Sequence, residues 1–226
     1  MTRRLLLVAA SGLGREVLEM VRDQGSHTVV GFVDEDQRRW GHEIGGVPVL
    51  PGGLERVAEE SDAGVVLCAG AGRARAELAV RLSALGVTSD RYETLVHPSA
   101  QLGSSTSVGP GSIVLAGCVA TTGVSIGRHT VLMPRATLTH DDVLDDAVTM
   151  CAGATLAGNV HVERGAYLGA GSLVRERCHI GAWALVGMGA VVLNDVGPGE
   201  VWVGNPARCL RTSWPEPVSG ELTEVG

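Results

Sequence analysis

Residues 102–127 read "LGSSTSVGPGSIVLAGCVATTGVSIG", and a step of six along this stretch decides the fold. The step runs from Leu102 to Val108, Val114, Ala120 and Ile126, then unbroken through Leu132, Leu138, Leu144, Met150, Leu156, Val162, Leu168, Val174, Ile180 and Val186 to Val192. Every one of these positions is apolar. Four residues beyond each stands a small or β-branched residue, beginning with Thr106, Ser112, Cys118 and Val124, and Asp142 is the exception. A period of six suits neither a helix nor a free strand. It suits short strands joined by tight corners, with one branched residue per strand pointing inward and a small one at the bend. Glycines follow many of the apolar positions, where a corner needs unusual backbone angles.

Within this lattice "TLTHDDVLDD", Thr137 to Asp146, carries a histidine and four aspartates. It keeps the six-residue step through Leu138 and Leu144, so it consists of two hexads and is not an inserted loop. Local violations of a packing rule often mark functional sites. The segment is therefore the first place to look for chemistry, with the other aspartates read as a solvated face.

Toward the N-terminus the rhythm changes. "RLLLVAA" reads as a buried strand, "SGLG" as a turn, and "REVLEMVRDQG" as a helix closing on Gly25. "HTVVGFVDED" reads as a second strand ending in acids. "GVPVLPG" leads through Pro51 into a short helix, "AGVVLCAGAG" is a third strand, and "RARAELAVRLSALG" is a helix closing on Gly86. This alternation predicts a small parallel α/β sheet. The expected domains are 1–93 (α/β), 94–205 (hexad repeats) and 206–226 (a closing segment and loose tail).

Composition narrows the chemistry. The chain has 226 residues, 45% hydrophobic, with a net charge of −7, enough for a sizeable core and without a basic face for nucleic acid or an anionic membrane. All 18 basic residues are arginine, which excludes a P-loop lysine and a Schiff base. Five cysteines, 68, 118, 151, 178 and 209, without a C-x-x-C, support neither a disulfide framework nor a zinc knuckle and favour a reducing cytoplasm. No apolar run is long enough for a membrane span. The later histidines, 129, 140, 161 and 179, lack the close pair that a shared zinc site requires, so no metal is expected.

"AASGLG" lies where a strand meets a helix, and its amides could hold a phosphate. Aligned to G-x-G-x-x-G it offers Ala9, Ser11 and Gly14, a poor dinucleotide fingerprint, which disfavours hydride chemistry. Ser11, Gly12 and Leu13 with Asp34 and Glu35 after the second strand, and Gly70 after the third, converge at one sheet edge, where an open α/β sheet binds ligands.

The hexads resemble the left-handed parallel β-helix of hexapeptide-repeat acyltransferases. An "ASGxG" unit, "GFVDED", "LVHPSA" and a repeat region ending in "VGNPAR" narrow the resemblance to the sialic acid O-acetyltransferase and sugar-nucleotide 4-amino N-acetyltransferase family. The expected fold is then an α/β N-terminal half-Rossmann domain followed by a left-handed parallel β-helix. The resemblance implies an acetyl-CoA-dependent acyltransferase, a cytoplasmic homotrimer, that N-acetylates a 4-amino sugar nucleotide. O-acetylation of a sialic acid or other hydroxyl, or a catalytically silent sugar-nucleotide-binding scaffold, are the alternatives.

The family's general base, a histidine followed by an acid, maps onto His140 and Asp141. An imidazole can take the nucleophile's proton at neutral pH while a carboxylate holds its tautomer. The resemblance also places acetyl-CoA against the Gly158 N–H, along Ala170, Gly187 and Met188, and beside Arg208. It places the acceptor sugar nucleotide against Ser11, Gly12, Leu13, Asp34, Glu35 and Gly70. The chain departs from the family at Leu13, where many members have histidine. It departs again at Met133 and Thr149, where well-known amino-sugar acetyltransferases have asparagine and a second histidine.

Overall fold

The computed structural model describes residues 2–212; positions 213–226 of the expected closing segment and tail lie outside the described residues. The chain divides into two compact units. Among the described residues, one comprises 2–70 with Ala74–Thr94, the other Ala71–Arg73 with 95–212.

The first unit is a five-stranded sheet in the order β3-β4-β2-β1-β5. Strands β1 (Arg3–Val8), β2 (His27–Val33), β4 (Val47–Leu50) and β5 (Gly64–Leu67) run parallel, and β3 (Glu43–Ile44) is antiparallel to β4 at the edge. The edge hairpin is absent from the sequence reading. Its signal was the pair Gly45 and Gly46, both at positive φ (57° and 75°), the requirement of a two-residue hairpin turn.

Helix α1 (Gly12–Gln24) starts three residues earlier than its apolar pattern, because Ser11 caps it by accepting from the Gly14 N–H. It ends at Gly25 in the left-handed conformation, as expected. Helices α2 (Glu55–Glu59) and α3 (Gly72–Ala84) complete the βα alternation. Leu6, Val8, Val33, Val65 and Leu67 from the sheet pack with Val57, Ala79 and Leu82 as the core.

Gly14 lets the first helix approach the sheet. A Cβ there would stand 2.9 Å from the Ala9 carbonyl oxygen and 3.0 Å from Phe32 Cε1. Gly14→Val is therefore expected to lower unfolding free energy by about 2–4 kcal/mol. Urea denaturation at unchanged m-value checks this, and an unmoved midpoint would count against the close approach.

The second unit is a left-handed parallel β-helix. Its two-residue strands form three parallel ladders, and each pairing skips eighteen residues: Val119 pairs with Thr137, Val131 with Thr149 and Ser125 with Val143. Eighteen residues are three hexads, so one coil is one turn of a triangular prism. The apolar hexad positions from Leu102 to Val192 are the second residues of successive strands. The lattice reaches one hexad further back than its sequence pattern, through Leu95–Val96, which pairs with Ile113–Val114.

The last coil is shorter. Leu185 pairs with Val201, sixteen residues on, and a hairpin of Val201–Val203 with Arg208–Arg211 closes the stack. Both the strand positions and the positions four residues later fill the interior: Leu132, Leu138, Leu144 and Leu156 with Ala136, Val148, Ala154 and Val160 form one core. Most corners turn through one left-handed residue, repeated coil after coil: Gly123, Asp141, Asn159 and Arg177 along one edge, where Asn159 follows a second at Gly158, and Gly117, Arg135, Gly153, Gly171 and Gly189 along another.

Candidate active site

The corner between Leu138 and Val143 carries Thr139, His140, Asp141 and Asp142. Asp141 turns the chain at φ 60° and lies over Gly123 of the preceding coil, where a Cβ would stand 2.6 Å from Asp141 Oδ1. The Asp141 N–H donates to the Thr122 carbonyl at 2.9 Å, and the His140 carbonyl accepts from the Asn159 N–H at 2.9 Å. The corner is thus anchored to the coils on both sides.

His140 and Asp141 come together as a pair, with Nδ1 at 3.0 Å from Asp141 Oδ2 and both side chains more than half exposed. Placing the ring proton on Nδ1, facing the carboxylate, leaves the Nε2 lone pair for an incoming proton; that tautomer is assigned from its partner. Asn159, which the sequence reading missed, stands with its amide nitrogen 3.3 Å from the same Nδ1. Its signal was spacing, since 159 lies eighteen residues after Asp141.

Gly158 lies against the other side of the ring. A Cβ there would be 2.7 Å from Nε2 and 3.0 Å from both Cδ2 and Cε1, and its φ of 100° favours glycine independently. With no side chain at Gly158, nothing from that position fills the space beside Nε2.

The remaining aspartates are not a solvated face. Asp142 is fully buried; its Oδ2 accepts from the Thr139 N–H at 2.7 Å and its Oδ1 from the Val160 N–H at 2.9 Å. Burial pushes its carboxyl above the ordinary carboxylate range, opposed by the N–H groups of Val160 and Thr139, by His140 and by the Gly158 N–H. Asp145 meets His161 Nε2 at 3.0 Å, and Asp146 meets the Arg128 N–H and guanidinium. His179 likewise meets Glu163 at 2.9 Å. Among the described residues no group of three or more His, Cys, Asp or Glu side chains is arranged to hold a metal ion.

The other expected donor-side residues lie elsewhere on the prism. Ala170 and Met188 share the edge of Gly171 and Gly189, joined by the Gly189 N–H to the Ala170 carbonyl at 2.9 Å, and Met188 is 81% exposed. Gly187 precedes Met188 at that edge and donates to the Trp202 carbonyl. This is a different corner from that of His140 and Gly158. Arg208 is exposed in the closing hairpin, with Nη1 donating to the Ala207 carbonyl. Thr149 is buried in a third ladder beside Val131 and Tyr167, and Met133 follows that ladder's preceding strand, so neither shares the His140 corner.

In the α/β unit a cleft of about 240 Å³ opens at the ends of β1 and β2. It is lined by Ala9, Asp34, Glu35, Ala69, Glu77 and Arg81, among others. Asp34 is committed to the local backbone, accepting from Ala10 N at 2.8 Å and Asp36 N at 2.9 Å. Glu35 pairs with both Arg81 guanidinium nitrogens. The Ser11 hydroxyl donates to the Cys68 carbonyl at 2.6 Å while accepting from Gly14, so it braces the turn. The Leu13 side chain points into the core, 7% exposed, and only its backbone is available to a ligand. Nothing lies within 4 Å of a Cβ built on Gly12, and the Gly70 carbonyl accepts from Arg75. Asp34 and Glu35 therefore line the cleft, whereas the Ser11 and Leu13 side chains do not.

A coiled prism with an imidazole–carboxylate pair at one corner, preceded by a Rossmann-like unit, has the build of the hexapeptide-repeat transferases. Residues 4–82 match the family described as PglD N-terminal domain. The acetyltransferase domain of PglB from Neisseria gonorrhoeae FA1090 is 30% identical with a TM-score of 0.82, the alignment covering 92% of this chain and 100% of that one. A variant of perosamine N-acetyltransferase from Caulobacter crescentus, solved with CoA and GDP-perosamine, is 29% identical with a TM-score of 0.83, covering 91% and 95%. The chain belongs to the hexapeptide-repeat sugar acetyltransferase family. Among curated proteins, an acyl-[acyl-carrier-protein]–UDP-N-acetylglucosamine O-acyltransferase from Pseudomonas savastanoi pv. phaseolicola is 38% identical over 84 residues, 37% of this chain. The chain spans about a third of the length of the curated relatives it matches.

Proposed function

We propose that the protein is an acetyl-CoA-dependent acetyltransferase that N-acetylates a 4-amino sugar nucleotide, with His140 as general base. The observation that carries this reading is the His140 geometry: Nδ1 held by Asp141 and Nε2 left open over Gly158. The acceptor amine attacks the thioester carbonyl and forms the new C–N bond. His140 Nε2 takes the amine proton, and Asp141 supports the resulting imidazolium. Collapse breaks the C–S bond, and the imidazolium proton goes to the departing thiolate.

Gly158 lines the acetyl site in this reading, with Ala170, Gly187 and Met188 along the pantetheine arm and Arg208 at the phosphates. Bound acetyl-CoA and CoA in the similar structures support the donor, and GDP-perosamine in one of them supports an amino sugar nucleotide. The acceptor is assigned to the α/β unit, to the cleft carrying Asp34 and Glu35 and the backbone of Ser11, Gly12, Leu13 and Gly70. A homotrimer supplies the neighbouring prism against which the donor lies. A cytoplasmic setting is part of the same reading; among the described residues no helix is long and apolar enough to cross a membrane.

A second reading, transfer to a hydroxyl, draws on the O-acyltransferase named among the curated relatives. Both are tested by measuring free thiol released from acetyl-CoA with a panel of amino and hydroxy sugar nucleotides. Release confined to 4-amino acceptors is the expected result. Release with hydroxy sugars alone would replace the amine by the hydroxyl reading, and no release with any acceptor would sink both.

A further inference from the structure

We propose that Asp142 is a positioning residue, a buried carboxylate that ties the corner carrying His140 to the corner carrying Gly158 and so sets the gap between them. The proposal rests on His140 acting as the base.

The column of inward residues at this edge reads Thr106, Val124, Asp142, Val160 and Cys178. A charge there interrupts an otherwise small or apolar filling, and the site is fully closed to solvent. Burying a carboxylate is costly unless hydrogen bonds meet it. Two N–H donors do so, one from each of the corners in question: Thr139, directly before His140, and Val160, two residues after Gly158. Two converging donors match an ionised carboxylate, which accepts at both oxygens. Asparagine would turn an NH₂ toward one of them.

The reason for the charge lies in the backbone of the second corner. At many other corners the residue in the inward position donates to the carbonyl three residues back, as Ala136 does to Met133 at 3.1 Å, Ala154 to Cys151 at 3.0 Å and Ser172 to Gly169 at 3.1 Å, and at one the Thr130 N–H donates instead to an inward side-chain oxygen, Ser112 Oγ, at 3.0 Å. Those corners carry one left-handed residue each. The corner at Gly158 carries two in succession, Gly158 at 100° and Asn159 at 51°. There the Val160 N–H donates to Asp142 Oδ1. The carboxylate thus replaces the turn bond that the altered corner gives up, and the altered corner is what lays a bare Cα against Nε2. Asp142 touches neither reactant; it acts through the placement of Gly158 and His140.

The test uses Asp142→Asn and Asp142→Val in the full chain, the valine matching Val124 and Val160 in the same column. Both variants are expected to fold, checked by thermal unfolding. Their kcat is expected to fall roughly 10–100-fold, with KM for acetyl-CoA within about threefold, as for a misplacement near the reacting centre. A second readout needs no turnover. The His140 imidazole resonances, assigned by their loss in His140→Gln, form one sharp set in the unaltered protein and broaden or multiply in both variants. Unchanged kcat with unchanged His140 resonances would overturn the proposal. So would a loss of activity that merely follows a smaller folded fraction whose His140 signals stay sharp. If the unaltered protein transfers to no acceptor, the transferase reading fails and the resonance comparison still decides whether Asp142 places His140.

Discussion

His140→Ala is expected to lower kcat/KM for acetyl transfer by about 10²–10⁴-fold, which corresponds to roughly 3–5 kcal/mol of transition-state stabilisation. The loss belongs in kcat. His140 is more than half exposed at a prism corner, and its backbone contacts, the carbonyl accepting from Asn159 and the neighbouring Asp141 N–H reaching Thr122, survive truncation of the ring. Acetyl-CoA affinity, followed by calorimetry, is accordingly expected to stay within about threefold, and the melting temperature to move little, as for a surface substitution. Steady-state kinetics across the acceptor panel checks this. Thiol release as fast in the variant as in the parent would remove His140 from the base role.

Gly158→Ala reaches the same chemistry from the opposite side of the ring. The added Cβ would stand 2.7 Å from Nε2, so the imidazole must swing away from the position that Asp141 holds. The backbone itself, at φ 100°, costs a side chain about 1–3 kcal/mol. We expect kcat/KM to fall about 100-fold, consistent with displacement of a catalytic group by an ångström or so. Gly153→Ala is the matched control: it too is left-handed, at φ 69°, but nothing lies within 4 Å of its Cβ. It should lose comparable stability and keep its activity. Equal activity losses in the two variants would mean that backbone strain, not contact with His140, explains the effect.

The contrast between these two glycines marks how far the sequence alone can be read. The stacked coils were legible because one interior position recurs every six residues without a gap, and the structure pairs Val119 with Thr137 and Val131 with Thr149 as that step requires. The juxtaposition of His140 with Asp141 was legible because the two are adjacent. The stacking of His161 on His179 was legible from their eighteen-residue spacing, but the neighbours of His140 across coils were not read, although they obey the same arithmetic: Asn159 is Asp141 plus eighteen, and Gly158 is His140 plus eighteen.

Asp142 was hardest to place. Its position in the hexad pointed inward, while its charge pointed outward, and the inward position prevailed because two backbone N–H groups were there to meet the carboxylate. In the α/β unit the turn glycines and strand ends located a cleft. At Ser11 and Leu13 the hydroxyl and isobutyl groups are taken up by the cap and the core, which leaves the backbone of that turn to face a ligand. Apolarity and capping compete with ligand binding for the same short loop, and the motif alone does not say which wins.

The eighteen-residue step is also a graduated scale. Each coil adds one strand spacing, about 4.8 Å, so distances along the prism come in whole rungs. Ala170 and Met188 differ by one such rung, and His140 and Gly158 by another. Lengthening a side chain cannot change that interval, and inserting or deleting one whole hexad would rotate every later corner onto a different edge. The reach of any donor laid along one edge is therefore quantised by the scaffold.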